Sequence, residues 1–157
     1  MPGMIVVGVD GSAPSIAALR FAAEEAELRN AQLVAVHAWT FIAASAVADP
    51  GLIPVPDVDY VGQLEAEREA AQAELDTALE KAFPHGPPVD VDARLVEGPA
   101  GDALLSEGED ADLIVVGSSG KSGLKSVFLG SVSRHVVSHS RSPVTVVKAA
   151  EAETEPD

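Results

Sequence analysis

Apolar positions fall into five short blocks set between longer amphipathic stretches, and this alternation predicts five strands separated by helices. Met4 to Val9 and Leu113 to Val116 are apolar on both faces, as strands covered on both sides of a parallel sheet are. Leu33 to Ala38 reads the same way, with His37 and Trp39 at its end, where His37 is expected as a half-buried strand residue rather than a ligand. Val89 to Val96 alternates instead (VDVDARLV), which predicts an edge strand with one face partly wet, and Pro143 to Lys148 supplies the last strand.

The helical segments carry their own signals. Ser12 is a good N-cap and Pro14 lies in the first turn, so a helix starts at about Ala13. Its apolar stripes are Ile16, Leu19, Ala23 and Ala26 on one side and Ala17, Phe21 and Leu28 on the other, with Arg20, Glu24 and Glu27 toward solvent. Such a helix packs on a sheet and touches a neighbour. Tyr60 to Phe83 is the longest helix, with Leu64, Ala71, Leu75, Ala78, Leu79 and Ala82 on one face and an acidic, solvated face opposite. Shorter helices are predicted from about Pro99 to Glu107, stopped by Gly108, and from Ser131 to about Ser140, ahead of Pro143. Thr40 to Val58 has no clean period and contains Pro50, Gly51, Pro54 and Pro56, a long loop able to fold over a ligand. The whole reads as one domain over 1–148 with an acidic tail, 149–157, expected to be disordered; no internal repeat is visible.

Strand and helix in alternation build an α/β fold, a five-stranded parallel sheet with helices on both faces. The first and fourth strands belong at its centre, where their loops face each other across the switch point at which open sheets place ligands. The loop after the fourth strand is rich in small residues (Gly117, Ser118, Ser119, Gly120, Ser122, Gly123), and Gly130, Ser131 and Val132 then open a helix. Glycines permit close approach to backbone amides, and the first turn of a helix presents unpaired amides at a positive dipole end, so this combination suits an anion such as phosphate.

Charge sharpens that reading. The 157 residues carry a net charge of -15 from 25 acidic and 10 basic residues, yet Leu113 to Ala150 contains no acid, while it holds Lys121, Lys125, Arg134, Arg141 and Lys148. Phosphate is repelled almost everywhere else. The plain alternative is a linker followed by a basic helix face. Overall acidity argues against nucleic acid and anionic membrane as partners, and the absence of cysteine excludes disulfides and thiol chemistry. With no apolar run of about 18 residues and no basic flank before the first strand, a cytoplasmic protein is expected.

Known phosphate motifs do not fit. Gly117 to Ser122 (GSSGKS) would need a glycine where Val115 stands to be a P-loop, and Gly8, Asp10 and Gly11 lack the dinucleotide fingerprint spacing. His135 and His139 are four apart, but position 136 is Val where the zinc-protease pattern needs Glu, so no metal site is assigned. Asp10, at the carboxyl end of a central strand, is suited to ribose hydroxyls, an adenine amine or a hydrated metal, or simply to stabilising the turn into the helix. A nucleophilic role would call for a second Asp at position 12, which is Ser, and no catalytic residue is assigned.

Gly117, two residues, Gly120, nine residues, then Gly130 and Ser131 resembles the GxxG, nine, G(S/T) signature of the ATP-binding branch of the universal stress proteins. VGVDGS (Val7 to Ser12), VHAW (Val36 to Trp39), EGPAGDALL (Glu97 to Leu105), ADLIVVGSSG (Ala111 to Gly120) and SPVTVVK (Ser142 to Lys148) extend the resemblance over nearly the whole domain. It implies a Rossmann-like strand order of 3-2-1-4-5 and a homodimer through the exposed last strand. ATP, with Mg²⁺, is the ligand expected on that resemblance: adenine against Val36 and Asp10, ribose near Gly117, and phosphates on the amides of Gly120, Gly130, Ser131 and Val132, with Gly8 and Val116 also counted among the binding residues. The Ser131 and Ser133 hydroxyls and the charge of Lys121 or Arg134 would assist. The implied role is a nucleotide-dependent regulator in stress response; a slow ATPase or self-phosphorylating enzyme using Asp10 or a loop Ser, and a sensor of AMP or another adenylate, remain alternatives.

Overall fold

The computed structural model describes residues 2–41, 59–119 and 129–149. Among them lie five strands and four helices in strict alternation: β1 (Met4–Gly8), α1 (Ala13–Arg29), β2 (Gln32–Trp39), α2 (Tyr60–Ala82), β3 (Val91–Glu97), α3 (Ala100–Glu107), β4 (Leu113–Gly117), α4 (Ser131–His139) and β5 (Val144–Val147). The expected tail from 150 onward, most of the expected long loop and the centre of the Gly-Ser loop lie outside the described residues.

All strand pairs are parallel, in the order β3-β2-β1-β4-β5. Because side chains alternate across a strand, each central strand feeds two cores. Ile5, Val7, Leu33, Ala35, Leu113 and Val115 point to one face, where α1 and α2 cover them with Leu19, Ala22, Leu75 and Ala78. Val6, Val34, Val36, Ile114 and Val116 point to the other, under Ala103 and Leu104 of α3 and Val136 of α4. The unbroken Val-Ile runs are thus explained by two-sided burial, and β3, which pairs with β2 alone, keeps intermediate exposure along much of its length.

Helix faces depart from the periodic reading in two places. On α1 the buried set includes Ala18 and Ala22, and Leu28 is 81% exposed, so the second stripe does not reach the last turn. On α2 burial begins at Ala71, leaving Leu64 38% exposed. Arg20 also does more than face solvent. Its guanidinium donates to the carbonyls of Ala82 (3.1 Å) and Lys81 (3.0 Å), capping the negative end of α2 from α1. At the β3 edge Arg94 bonds Asp92 and Glu107, both at 2.6 Å, tying the strand to the end of α3; these bonds, that to Asp92 foremost, hold its pKa above the usual value.

Leu75 is fully buried beneath the sheet, and Leu75→Ala should cost about 2–5 kcal/mol, whereas Leu28→Ser should stay within about 0.5 kcal/mol. Urea denaturation of both variants checks the contrast, and a destabilised Leu28→Ser would contradict the observed faces.

Candidate functional site

At the carboxyl ends of β1, β2 and β4 the helices diverge to opposite faces and leave a cleft of about 270 Å³. It is lined by Gly8, Asp10, Val36, Val116, Gly117, Gly130, Ser131, Val132 and Ser133, so nine of the predicted site residues converge; Gly120 and Lys121 lie outside the described residues. Asp10 is the one charged residue among the described residues that line it.

The turn after β1 is fixed from several sides. Val9 extends the ladder by donating to the carbonyl of Val36 (2.8 Å). Asp10 N donates to Ser15 Oγ (3.0 Å), while Asp10 Oδ1 accepts from Ser12 N (2.9 Å) and from the Ser12 hydroxyl. Gly11 between them has φ +81°, a left-handed conformation that favours glycine. Asp10 therefore performs the turn-stabilising role with one oxygen while lining the cleft. His37 is buried rather than half-buried, at 6% exposure; its Nδ1 faces the Val9 carbonyl (2.8 Å) and its Nε2 faces Glu74 Oε2 (3.1 Å).

On the β4 side the loop ends are strapped together. Ser118 N donates to Val147 O (2.8 Å), Gly130 N donates to Ser118 O (2.7 Å), and the buried Ser133 hydroxyl contacts Gly130 O (3.0 Å) and Ser118 O (3.2 Å). The Gly130 amide and the Ser133 hydroxyl proton are engaged inside the protein, because the neck of the loop needs them. Gly130 is the N-cap of α4 and brings no side chain to bond its amides; Arg134 N is the first to bond back, to Gly130 O. The amides of Ser131 and Val132 are thus left as first-turn donors at a positive dipole end that opens on the cleft.

Gly117 has a reason beyond ligand approach. A Cβ there would lie 2.8–2.9 Å from Pro14 C, Pro14 Cβ and Ser15 N, so the first turn of α1 rests directly on it. At Gly8 a Cβ would meet Leu104 Cδ1 at 2.8 Å. Val9, Ser15, Ala38, Ala100, Leu104 and Ser119 complete the wall. Ala38, Ala100, Leu104 and Ser119 fall within stretches that resemble the universal stress proteins, but only knowledge that α3 crosses the end of β1 would have placed Ala100 and Leu104 in the wall. An open groove between α3 and α4 adjoins the cleft at Ala100, Ser131 and Val132 and contains His135, bonded to Asp102 at 3.0 Å. His139 Nδ1 bonds the His135 carbonyl (2.9 Å), and no cluster of three potential metal ligands forms among the described residues.

These features define a doubly wound α/β protein with a crevice at its strand switch point. Residues 1–148 match the Universal stress protein family, and the chain belongs to it. It is 33% identical over 144 residues to the universal stress protein Rv2005c of Mycobacterium tuberculosis, covering 92% of this chain and 45% of that protein. The chain spans about half the length of the curated relatives it matches. A universal stress protein solved in complex with cAMP is 29% identical and superposes with a TM-score of 0.65, covering 95% of this chain and 98% of that one. The Archaeoglobus fulgidus universal stress protein in complex with dAMP is 26% identical, with a TM-score of 0.62 and coverage of 94% and 98%. Among the described residues no helix is long and apolar enough to cross a membrane.

Because the atoms facing Gly117 are mostly backbone, Gly117→Ala should destabilise by about 1–3 kcal/mol. Gly8→Ala meets only the movable end of Leu104 and should cost less while narrowing the cleft. Thermal melts of the two variants give the ranking, and equal melting points would refute it.

Proposed function

We propose that the cleft binds an adenine nucleotide, ATP together with Mg²⁺, and that the protein acts as a nucleotide-dependent regulator in the stress response. The observation that carries this reading is the uncapped first turn of α4, whose Ser131 and Val132 amides open onto a slot walled by Val36, Ala38, Leu104 and Val116. Amides at a helix mouth suit phosphate, the apolar slot suits a flat base, and Asp10 offers a carboxylate to ribose hydroxyls or the adenine amine. Mg²⁺ would arrive with the phosphates, since it keeps several waters and needs few protein ligands. The adenylates bound by the cAMP and dAMP complexes of two relatives support the ligand class.

A monophosphate is the second reading. The cleft, at about 270 Å³ among the described residues, sits at the small end of ligand sites, which begin near roughly 300 Å³. A second copy pairing along β5, whose outer edge has no partner strand among the described residues, would give the homodimer; a cytoplasmic setting fits the regulator role.

Titration calorimetry with ATP, ADP and AMP tests the ligand, and retention against hydrolysis of labelled ATP separates regulator from enzyme. Ser131→Asp is the sharpest variant. A carboxylate at the helix mouth should stabilise α4 by about 0.3–1 kcal/mol in the free protein yet weaken nucleotide binding by tenfold or more through repulsion of phosphate. Unchanged affinity in this variant would reject the assigned phosphate position, and preference for AMP over ATP would favour the second reading.

A further inference from the structure

Between the cleft and the outer surface of α2 lies a buried imidazole that none of the roles above uses. His37 stands on β2 between Val36 and Ala38, both of which line the cleft, yet its own side chain points to the opposite face. There its two ring nitrogens face two acceptors, the Val9 carbonyl at 2.8 Å and Glu74 Oε2 at 3.1 Å. A carbonyl can only accept, so the bond to Val9 requires a proton on Nδ1. Val9 O is the oxygen of the peptide group whose nitrogen is Asp10 N, and that nitrogen donates to Ser15 Oγ at 3.0 Å. The peptide unit that sets the direction of Asp10 is therefore gripped at both ends, by His37 from β2 and by Ser15 from α1.

We infer that His37 is a positioning residue for the ligand site: by holding the Val9 carbonyl it fixes the Val9–Asp10 peptide plane and so aims the Asp10 carboxylate into the cleft. Strand pairing alone does not do this, because β1 ends at Gly8 and the ladder bond from Val9 N to Val36 O leaves the next peptide plane free to turn. Gly11, with its wide conformational range, makes the turn softer still, so an added restraint has something to restrain. Glu74, half-exposed on α2, holds the far edge of the ring. It steadies the imidazole without touching the cleft.

The inference rests on the nucleotide reading for its functional consequence, but its structural part is testable without ligand. In the free protein, the backbone amide signals of Asp10 and Ser12 report the peptide plane and the bond from Ser12 N to Asp10 Oδ1. His37→Asn keeps a donor near the position of Nδ1, whereas His37→Leu removes it. His37→Leu should displace both amide signals and weaken ATP binding by roughly fivefold to tenfold, the worth of a misaligned hydrogen bond. His37→Asn should keep wild-type signals and affinity, and Glu74→Gln should change affinity by less than about twofold, as expected for an indirect support. A folded His37→Leu with wild-type Asp10 and Ser12 signals and wild-type affinity would overturn the inference. Should His37→Leu fail to fold, His37→Ala, which also removes the donor, takes its place: displaced Asp10 and Ser12 signals uphold the inference and wild-type signals overturn it. If the wild-type chain binds no adenine nucleotide, the proposed function falls while the amide signals still decide the role of His37.

Discussion

Parallel pairing of β1 with β4 is the constraint from which the rest follows. It places two strands that are far apart in sequence side by side at the centre of the sheet, with Ile5, Val6 and Val7 registered on Leu113, Ile114 and Val115. The chain leaves β1 toward one face and β4 toward the other, so α1 and α4 separate where the strands end. A crevice is the geometric result of that reversal rather than of any particular side chain. Its contents are then decided by what the two turns carry: a capped, acid-bearing turn after β1 and an uncapped helix mouth after β4.

The asymmetry of capping is what gives the crevice its electrostatic direction. Ser12 caps α1 with its own hydroxyl, accepting from Ser15 N, so that helix satisfies part of its first turn internally. α4 begins at Gly130 and has no such side chain. In a chain of net charge -15, a mouth of unpaired amides with no acid nearby in sequence is a local exception, and helix dipoles act strongly only within the first turn. The necking of the loop by Gly130 N and Ser133 Oγ keeps that mouth in place.

Much of the architecture was legible because two-sided burial writes unbroken apolar runs, and the strands of Met4–Gly8 and Leu113–Gly117 fall where those runs lie. The helix faces were less so: periodicity identifies a stripe but not where the underlying sheet ends, and so Leu28 and Leu64 were assigned to faces that the sheet does not reach. At the site, glycine and serine in the loop announced close backbone approach, yet could not say which backbone. Gly117 is approached by Pro14 and Ser15 of α1, and the Gly130 amide serves Ser118. Ser15 carries no mark, and Ala100 and Leu104 lie in a family-like stretch that does not say what they line, because their place in the wall comes from the crossing of helices over strand ends. The sequence marks His37 as a strand residue and no more, since it does not reveal that Val9 O and Glu74 face its two nitrogens.

The uneven burial of α2 has a mechanical meaning. Its inward residues, Ala71, Leu75, Ala78 and Ala82, all lie in the second half, and Arg20 grips its last carbonyls, while Tyr60, Val61 and Leu64 in the first turns are exposed. The helix is clamped at one end like a cantilever. Opening its free turns exposes little apolar surface and costs correspondingly little, so their amides exchange with solvent long before those beyond Ala71.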